Sequence, residues 1–247
     1  MEGAIRNSIW EYRSIIGLLN YISGSSRPDI AYATHSAARF SANPKASHDK
    51  GVKSIIKYLK GTKENRLIMY PRNDKGLEFF VDADFAGGWS TNESENPDSV
   101  YSRTGYMIKY KNCLILSASK LQSEIFLSTT EPEYIALSQA LREIIPMMEH
   151  LEQLEKMLNI ESKRTSLKCK LFKDNNSAIE LAKDPKIRPC TKHIALKYHH
   201  FREHVRIGLI EINPISTLEQ VADIFTKAFP FPIFNYMREK MMGWNKQ

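Results

Sequence analysis

The residue pattern predicts an α/β chain: a mixed β-sheet with helices against it, preceded by a small helical module. Apolar residues recur at helical spacing up to about Gly61; past a turn-rich stretch, Pro71 to Gly76, they fall into short runs of strand length. Those runs come first close together, as a meander, and then alternate with helical segments, which argues for one mixed sheet. Acids stand at or just past the ends of several of the runs.

Ile15, Ile16, Leu18, Leu19 and Ile22 form the first apolar stripe, which stops near Ser23-Gly24-Ser25-Ser26. Arg27-Pro28-Asp29 is a turn into a second helix, with Pro28 suited to its first turn and Ile30, Ala33, Ala37 and Phe40 facing inward; Asn43-Pro44 ends it. A third helix carries Val52, Ile55, Ile56 and Leu59 on one face, sets its lysines largely off that face, and has Gly61 as its C-terminal cap. Leu77–Val81, Tyr106–Tyr110, Cys113–Leu116 and Ile125–Ser128 read as strands, with Lys111-Asn112 the tight turn between the second and third. A long helix begins near Thr130, with Leu137, Leu141, Ile144, Met148 and Leu151 on one face; Pro146 should kink or divide it. Cys169–Phe172 is a strand, Asn175–Ala182 a short helix, Thr191–Val205 another, Leu209–Ile212 the last strand and Leu218–Ala228 the last helix. The division that follows is a helical module over 1–70, a sheet domain over 71–229 and a tail over 230–247.

The chain has 247 residues, 42% of them apolar and 26% charged, so it is long enough for a sizeable core and is neither disordered nor fibrous in composition. No stretch of about 18 consecutive apolar residues is present, which argues against a membrane span. Met1 to Asn7 has no apolar secretory core behind it, so no signal peptide is expected. Cys113, Cys169 and Cys190 make no disulfide framework and fit a reducing compartment. The net charge of +7 allows nucleic-acid binding without requiring it.

Four acids fall at corresponding places: Asp82 at the end of the first strand, Glu133 in the first turn of the long helix, Asp174 after a later strand and Asp223 in the last helix. Carboxylates beyond strand ends converge at one edge of a sheet, and several together need a compensating cation. Mg²⁺ or Mn²⁺ meets that need through oxygen ligands, and two such ions about 4 Å apart hydrolyse phosphodiesters. Plainer readings stand beside this one. Thr130-Glu131-Pro132-Glu133 fits a capping box, Asp174-Asn175-Asn176 fits a helix cap, and Asp223 fits a surface acid.

Val81-Asp82-Ala83-Asp84-Phe85-Ala86-Gly87, followed by Ser102-Arg103-Thr104-Gly105-Tyr106, resembles the opening of the ribonuclease H domain of Ty1/copia-type retrotransposon polyproteins. Leu127 to Leu137, Lys173 to Ile179, Lys192-His193-Ile194 with Tyr198 to Glu203, and Gln220 to Lys227 resemble its later blocks, in family order. Tyr12 to Tyr21, Arg27 to Ala31 and Tyr58 to Thr62 resemble the end of the reverse transcriptase of the same polyprotein and its joining segment, a thumb or connection remnant. The polymerase's paired aspartates after Tyr-x are absent, so no polymerase activity is expected.

The resemblance implies a ribonuclease H-like five-stranded mixed sheet with flanking helices. It implies an enzyme: a metal-dependent endonuclease that cuts the RNA strand of RNA–DNA hybrids with Mg²⁺ or Mn²⁺, two ions, held by Asp82, Glu133, Asp174 and Asp223. Asp84 stands behind them, and Ser119, Lys120, Asn175, Asn176 and His193 are second-rank positioning or substrate residues. It implies an upstream reverse transcriptase domain as partner, no membrane, and a cytoplasmic place in the element's particles, or a nuclear one. A catalytically silent nucleic-acid-binding remnant and an interaction protein acting through the N-terminal helices are the competing readings.

The chain departs from the family where it reads Gly88 in place of an acid, Leu116 near a usual tryptophan, and Leu121-Gln122 for a Lys-Gln pair. The loop Asn213 to Thr217 lacks the histidine that many cellular ribonucleases H carry there. Cys190, His193, His200 and His204 have ligand-like spacing for zinc. His193 and His200, however, lie seven apart on one predicted helix, about 10 Å along its axis, which one tetrahedral ion does not span. Basic residues concentrate at Lys45–Lys75 and Lys183–Arg206, each a solvated face or a flank for a polyanion.

Overall fold

The computed structural model describes residues 4–87, 97–126, 128–159, 167–183 and 201–244. Three helices open the chain: α1 (Tyr12–Ser25), α2 (Ala31–Ala38) and α3 (Ala46–Gly61). Tyr12, Ile16 and Leu19, spaced four and three apart, meet Ile30, Val52 and Ile55 in a small core. Leu18 lies off that stripe and is 60% exposed. Pro28–Ile30 form a tight turn of their own before α2, so the buried positions of that helix are Ala31 and Thr34 rather than the expected Ala33. At this turn the Arg27 guanidinium grips Asp29 through two parallel bonds, 2.9 Å and 2.8 Å, and donates to Thr62 O and Thr62 Oγ1 at the end of α3.

The sheet comprises β1 (Leu77–Asp84), β2 (Arg103–Tyr110), β3 (Cys113–Leu121), β4 (Cys169–Lys173) and β5 (Ile210–Pro214), in the order β3-β2-β1-β4-β5. The first three strands are antiparallel, and β4 and β5 run parallel to β1. This is the mixed five-stranded sheet with flanking helices that the resemblance implies. Lys111 and Asn112 both take positive φ, 50° and 69°, the geometry a two-residue hairpin turn requires. β3 runs on to Leu121, and Ile125–Phe126 form no strand: the Gln122 backbone N–H still pairs with Ser102 O at 2.8 Å, while its side-chain amide donates to Thr104 Oγ1 and Pro132 O and ties the strand's end to the start of the next helix.

That helix, α4 (Thr130–Met157), is one element of 28 residues with Pro146 inside it. The proline removes one hydrogen bond, but Leu141, Ile144 and Met148 on either side are buried against the sheet, and the helix is not divided. α4 covers one face of the sheet, where Phe79, Val81, Tyr106, Ile108, Leu171 and Ile212 point. α5 (Asn176–Lys183) and α6 (Arg202–Arg206) follow on the chain. The predicted helix over Thr191–Val205 lies mostly outside the described residues.

The opposite face is closed by residues expected to be a tail. α7 (Phe231–Met242) buries Met237, Met241 and Met242 with Met107, Leu114, Val221, Ile224, Phe225 and Ala31. Its aromatic and proline start hides the helix from a reading by periodicity, because Phe231 is 69% exposed while the buried residues are late methionines. The predicted last helix, Leu218–Ala228, is instead two short turns of three-residue pitch, Thr217–Glu219 and Val221–Phe225. Val221, Ile224 and Phe225 satisfy either repeat, so spacing alone does not separate the two forms. No described helix is long and apolar enough to cross a membrane.

Candidate metal centre

The parallel pairing of β1 with β4 stops at Phe80 and Phe172. Beyond it the carbonyls of Val81 and Phe172 have lost their ladder partners, and the buried Gln220 amide donates to both, at 3.1 Å and 3.3 Å. Gln220 also caps the turn that carries Asp223, accepting from Ala222 N. One side chain therefore fixes both strand ends and the third acid's turn. Asp82 and Asp174 sit at the carboxyl ends of these adjacent parallel strands, the place where open sheets bind ligands. The Val221–Phe225 turn lies directly on β2: a Cβ on Gly105, the residue opposite Asp82, would come within 2.6 Å of Thr226 Cγ2 and 2.8 Å of Phe225 Cβ. Only glycine leaves room for that approach.

Asp82, Asp174 and Asp223 each place a carboxylate oxygen so that all three lie within 4.8 Å of one another. Thr226 Oγ1 donates to Asp82 Oδ2 at 2.6 Å and fixes its rotamer. Asp223 is 1% exposed; its Oδ2 meets Lys227 Nζ at 2.6 Å, and its buried Oδ1 has no partner among the described residues. Burial, with Asp82 alongside, pushes the Asp223 carboxyl up to about 8 against the pull of Lys227. An unmet, buried carboxylate oxygen beside two more carboxylates is a donor set for a hard cation, so the residues present fit Mg²⁺ or Mn²⁺.

Glu133 comes to the same place from α4 but with a different commitment. The helix starts at Thr130, two residues before Pro132, so the expected capping box does not form. Glu133 Oε2 instead accepts the Ala83 N–H at 3.0 Å and pairs with Lys173 Nζ. Burial pushes Glu133 up to about 7 against the pull of Lys173, and the neighbouring aspartates add a smaller upward push. Lys173 itself is fully buried, its ammonium 3.4 Å from Asp174 Oδ1 and 3.7 Å from Asp82 Oδ1. Burial alone would lower its pKa; the surrounding carboxylates outweigh that and raise it.

The other predicted site residues divide. Asp84 shares the face of Asp82, with Arg103 its register partner on β2, and burial followed by the charge of Asp82 raises its carboxyl. Ser119, read as a substrate contact, is 1% exposed; it accepts from Arg103 and donates to Phe225 O at 2.6 Å, so it is structural. Lys120, its neighbour on the other face of β3, is exposed and lies 3.4 Å from Glu143. Asn175 Oδ1 accepts from Ala178 N at 2.9 Å and caps α5, which leaves Asp174 free for the site; Asn176 is exposed beside it. His193, the Gly88 departure, and Cys190, His193 and His200 of the zinc reading lie outside the described residues. Lys173, Lys227, Thr226 and Gln220 join the site without being expected there from their sequence positions. Alternation along Cys169, Leu171 and Lys173 points the lysine inward and is a legible signal, whereas nothing in the spacing marks Gln220.

No family model matches the chain. It is 36% identical over 228 residues, 92% of its length, to the retrovirus-related Pol polyprotein from transposon TNT 1-94 of Nicotiana tabacum. It is 31% identical over 231 residues, 94% of its length, to that from transposon RE1 of Arabidopsis thaliana. The chain spans 16% and 15% of these two relatives' own lengths. A secreted RxLR effector protein, number 161, of Plasmopara viticola is 31% identical over 134 residues, 54% of this chain and 89% of the relative. Among solved structures, LC11-RNase H1 in complex with RNA/DNA hybrid overlays 61% of this chain and 93% of its own, with a TM-score of 0.37 and 13% identity.

Proposed function

Because the chain belongs to the Pol polyproteins of Ty1/copia-type retrotransposons, we propose that its carboxylate site is that of a ribonuclease H-type endonuclease acting on the RNA strand of RNA–DNA hybrids. The observation that carries the reading is the meeting of Asp82, Asp174 and Asp223 within 4.8 Å at the ends of adjacent parallel strands, with an unmet buried oxygen among them. Asp82, Asp174 and Asp223 would hold Mg²⁺ or Mn²⁺ there, and the ion would supply Lewis acidity toward a phosphodiester and its attacking water.

The chain's own residues do the rest. Thr226 holds Asp82 in one rotamer, and Gln220 locks the strand ends that set the spacing of the acids. Lys227 offsets charge at the rim of Asp223. A second ion would call on Glu133 as well as the three aspartates. The exposed Asn176 and Lys120, with the lysines of α3, are the groups we assign to the hybrid's backbone, read by shape and 2′-hydroxyls rather than by base sequence. A reverse transcriptase domain upstream in the polyprotein is the partner we assign to the exposed Leu18 and Tyr21 of α1, and the element's cytoplasmic particles are the setting.

One observation favours a competing reading, a domain that binds hybrids without cutting them: the Lys173 ammonium stands among the carboxylates. Cleavage of a labelled hybrid, with Mg²⁺ or Mn²⁺ against chelator and with Asp174→Asn alongside, separates the two. Metal-dependent scission of the RNA strand, lost in the variant, supports the nuclease. Binding without scission in the folded protein selects the silent domain.

A further inference from the structure

Among the described residues, Lys173 is the one cation inside the carboxylate centre that is fully buried; Lys227, at the rim, is 38% exposed. Its position follows from the strand. Cys169, Leu171 and Lys173 share the α4 face of β4, so the side chain that follows two core residues enters the sheet–helix layer where Glu133 descends from α4. Among the described residues the ammonium has three carboxylates within ion-pair distance, Glu133, Asp82 and Asp174, and Asp223 is not one of them. Glu133 Oε2 is bound twice, by Lys173 and by the Ala83 N–H. The carboxylate oxygens that gather within 4.8 Å come from Asp82, Asp174 and Asp223, without Glu133.

We propose that Lys173 is a resident cation that holds Glu133 out of the metal set. The protein then takes a single divalent ion, on Asp82, Asp174 and Asp223, under conditions where a chain without the ammonium takes two. This rests on the reading of the three aspartates as a metal site. The physical argument is charge balance. A fixed positive group within 4 Å of two of the ligands repels an incoming divalent ion and satisfies part of the charge that would otherwise attract it. Lys173 is thus a positioning residue: it acts through Glu133 and through the field at the aspartates.

The test is Mn²⁺ binding to the full chain, with free ion counted by electron paramagnetic resonance and the fold checked by circular dichroism. The wild type should take one ion. Lys173→Met should bind it at least about tenfold more tightly and take a second, because the repelling charge is gone. Glu133→Gln, which keeps an oxygen for the Ala83 N–H, should hold the single ion within about threefold of the wild-type affinity, since Glu133 is not its ligand. Asp174→Asn should lose it. Two ions on the wild type, or loss of the ion from Glu133→Gln by more than about tenfold, overturns the proposal and leaves the metal site standing. The second of these results decides the matter even if Lys173→Met does not fold. No Mn²⁺ on any variant overturns the metal site and the proposal with it.

Discussion

At Arg27 and Asp29 the helical module buries one cation against one anion; at the ends of β1 and β4 the sheet gathers four carboxylates around two lysines. In the first region each donor of the Arg27 fork that is bonded has an acceptor on Asp29 or Thr62, and the Tyr58 hydroxyl adds a bond to Asp29. In the second, a buried Asp223 oxygen has no partner and two acids are pushed toward neutrality. A matched pair costs little to keep and much to halve, and it serves to join α1, α2 and α3. An unmatched cluster costs stability in the apo protein and acquires its partner from outside, which marks it as a site.

The contrast is broken most easily at the matched pair. Asp29→Ala leaves Arg27 buried without its anion and should destabilise the chain by about 3–5 kcal/mol in urea unfolding, whereas the double change Arg27→Met with Asp29→Leu should recover most of that loss. A single variant within about 1 kcal/mol of the wild type would show that the pair is solvated and not structural. The site should behave the other way. Asp223→Asn should lower hybrid cleavage by about 10²–10³-fold while leaving stability unchanged or raising it by about 1 kcal/mol, because the change neutralises an acid whose charge burial already disfavours. A clear loss of stability in Asp223→Asn would put it in the class of Asp29 and remove the distinction.

Lys109 offers a third arrangement, a buried ammonium hydrogen-bonded to a backbone carbonyl. Its Nζ donates to Lys240 O, in the last turn of α7, at 2.8 Å. The Glu78 carboxylate, its register partner on β1, and the helix C-terminus both favour a cation, yet burial prevails and lowers this lysine to about 8. Between about pH 8 and 10.4 the unfolded chain therefore binds more protons than the native one, and this group makes stability rise with pH across that window, by up to about 3 kcal/mol. Below about pH 8 both states are protonated and the penalty is complete. The difference in unfolding free energy between wild type and Lys109→Met, followed from pH 7 to 10, isolates the effect; a difference that does not change with pH would mean that Lys109 is solvated.

What the sequence disclosed follows the same line between local and distant causes. The Lys111-Asn112 turn, the strands beside it and the acids at strand ends are set by neighbours in the chain, and each is where the residues point. Glu133 was open between cap and site because a capping box is a local motif, and the choice was made by Lys173, forty residues on. Gln220 bridges Val81 and Phe172, contacts 139 and 48 residues away, and no periodicity records such a role. α7 escapes a reading by periodicity because its buried methionines cluster with the Val221–Phe225 turn and with single residues of β2, β3 and α2. Lys173 alone among the unforeseen site residues was recoverable, from the alternation of β4.

The smallest effect separates two neighbours on β3. The sequence suggests both Ser119 and Lys120 as substrate contacts, but period two sends them to opposite faces. Ser119 sits between Arg103 and the carbonyl of Phe225, so Ser119→Ala should cost about 1–2 kcal/mol through the donor and acceptor it leaves unmet. Lys120 pairs with Glu143 at 3.4 Å with both side chains exposed, so Lys120→Ala should change stability by less than about 0.5 kcal/mol. Its consequence, if it meets the nucleic acid, is electrostatic: the slope of log affinity for a hybrid against log salt should fall by about one, uniformly across sequences. An unchanged slope would confine Lys120 to its ion pair with Glu143 and move the basic contact surface to α3, whose lysines are then the next to replace.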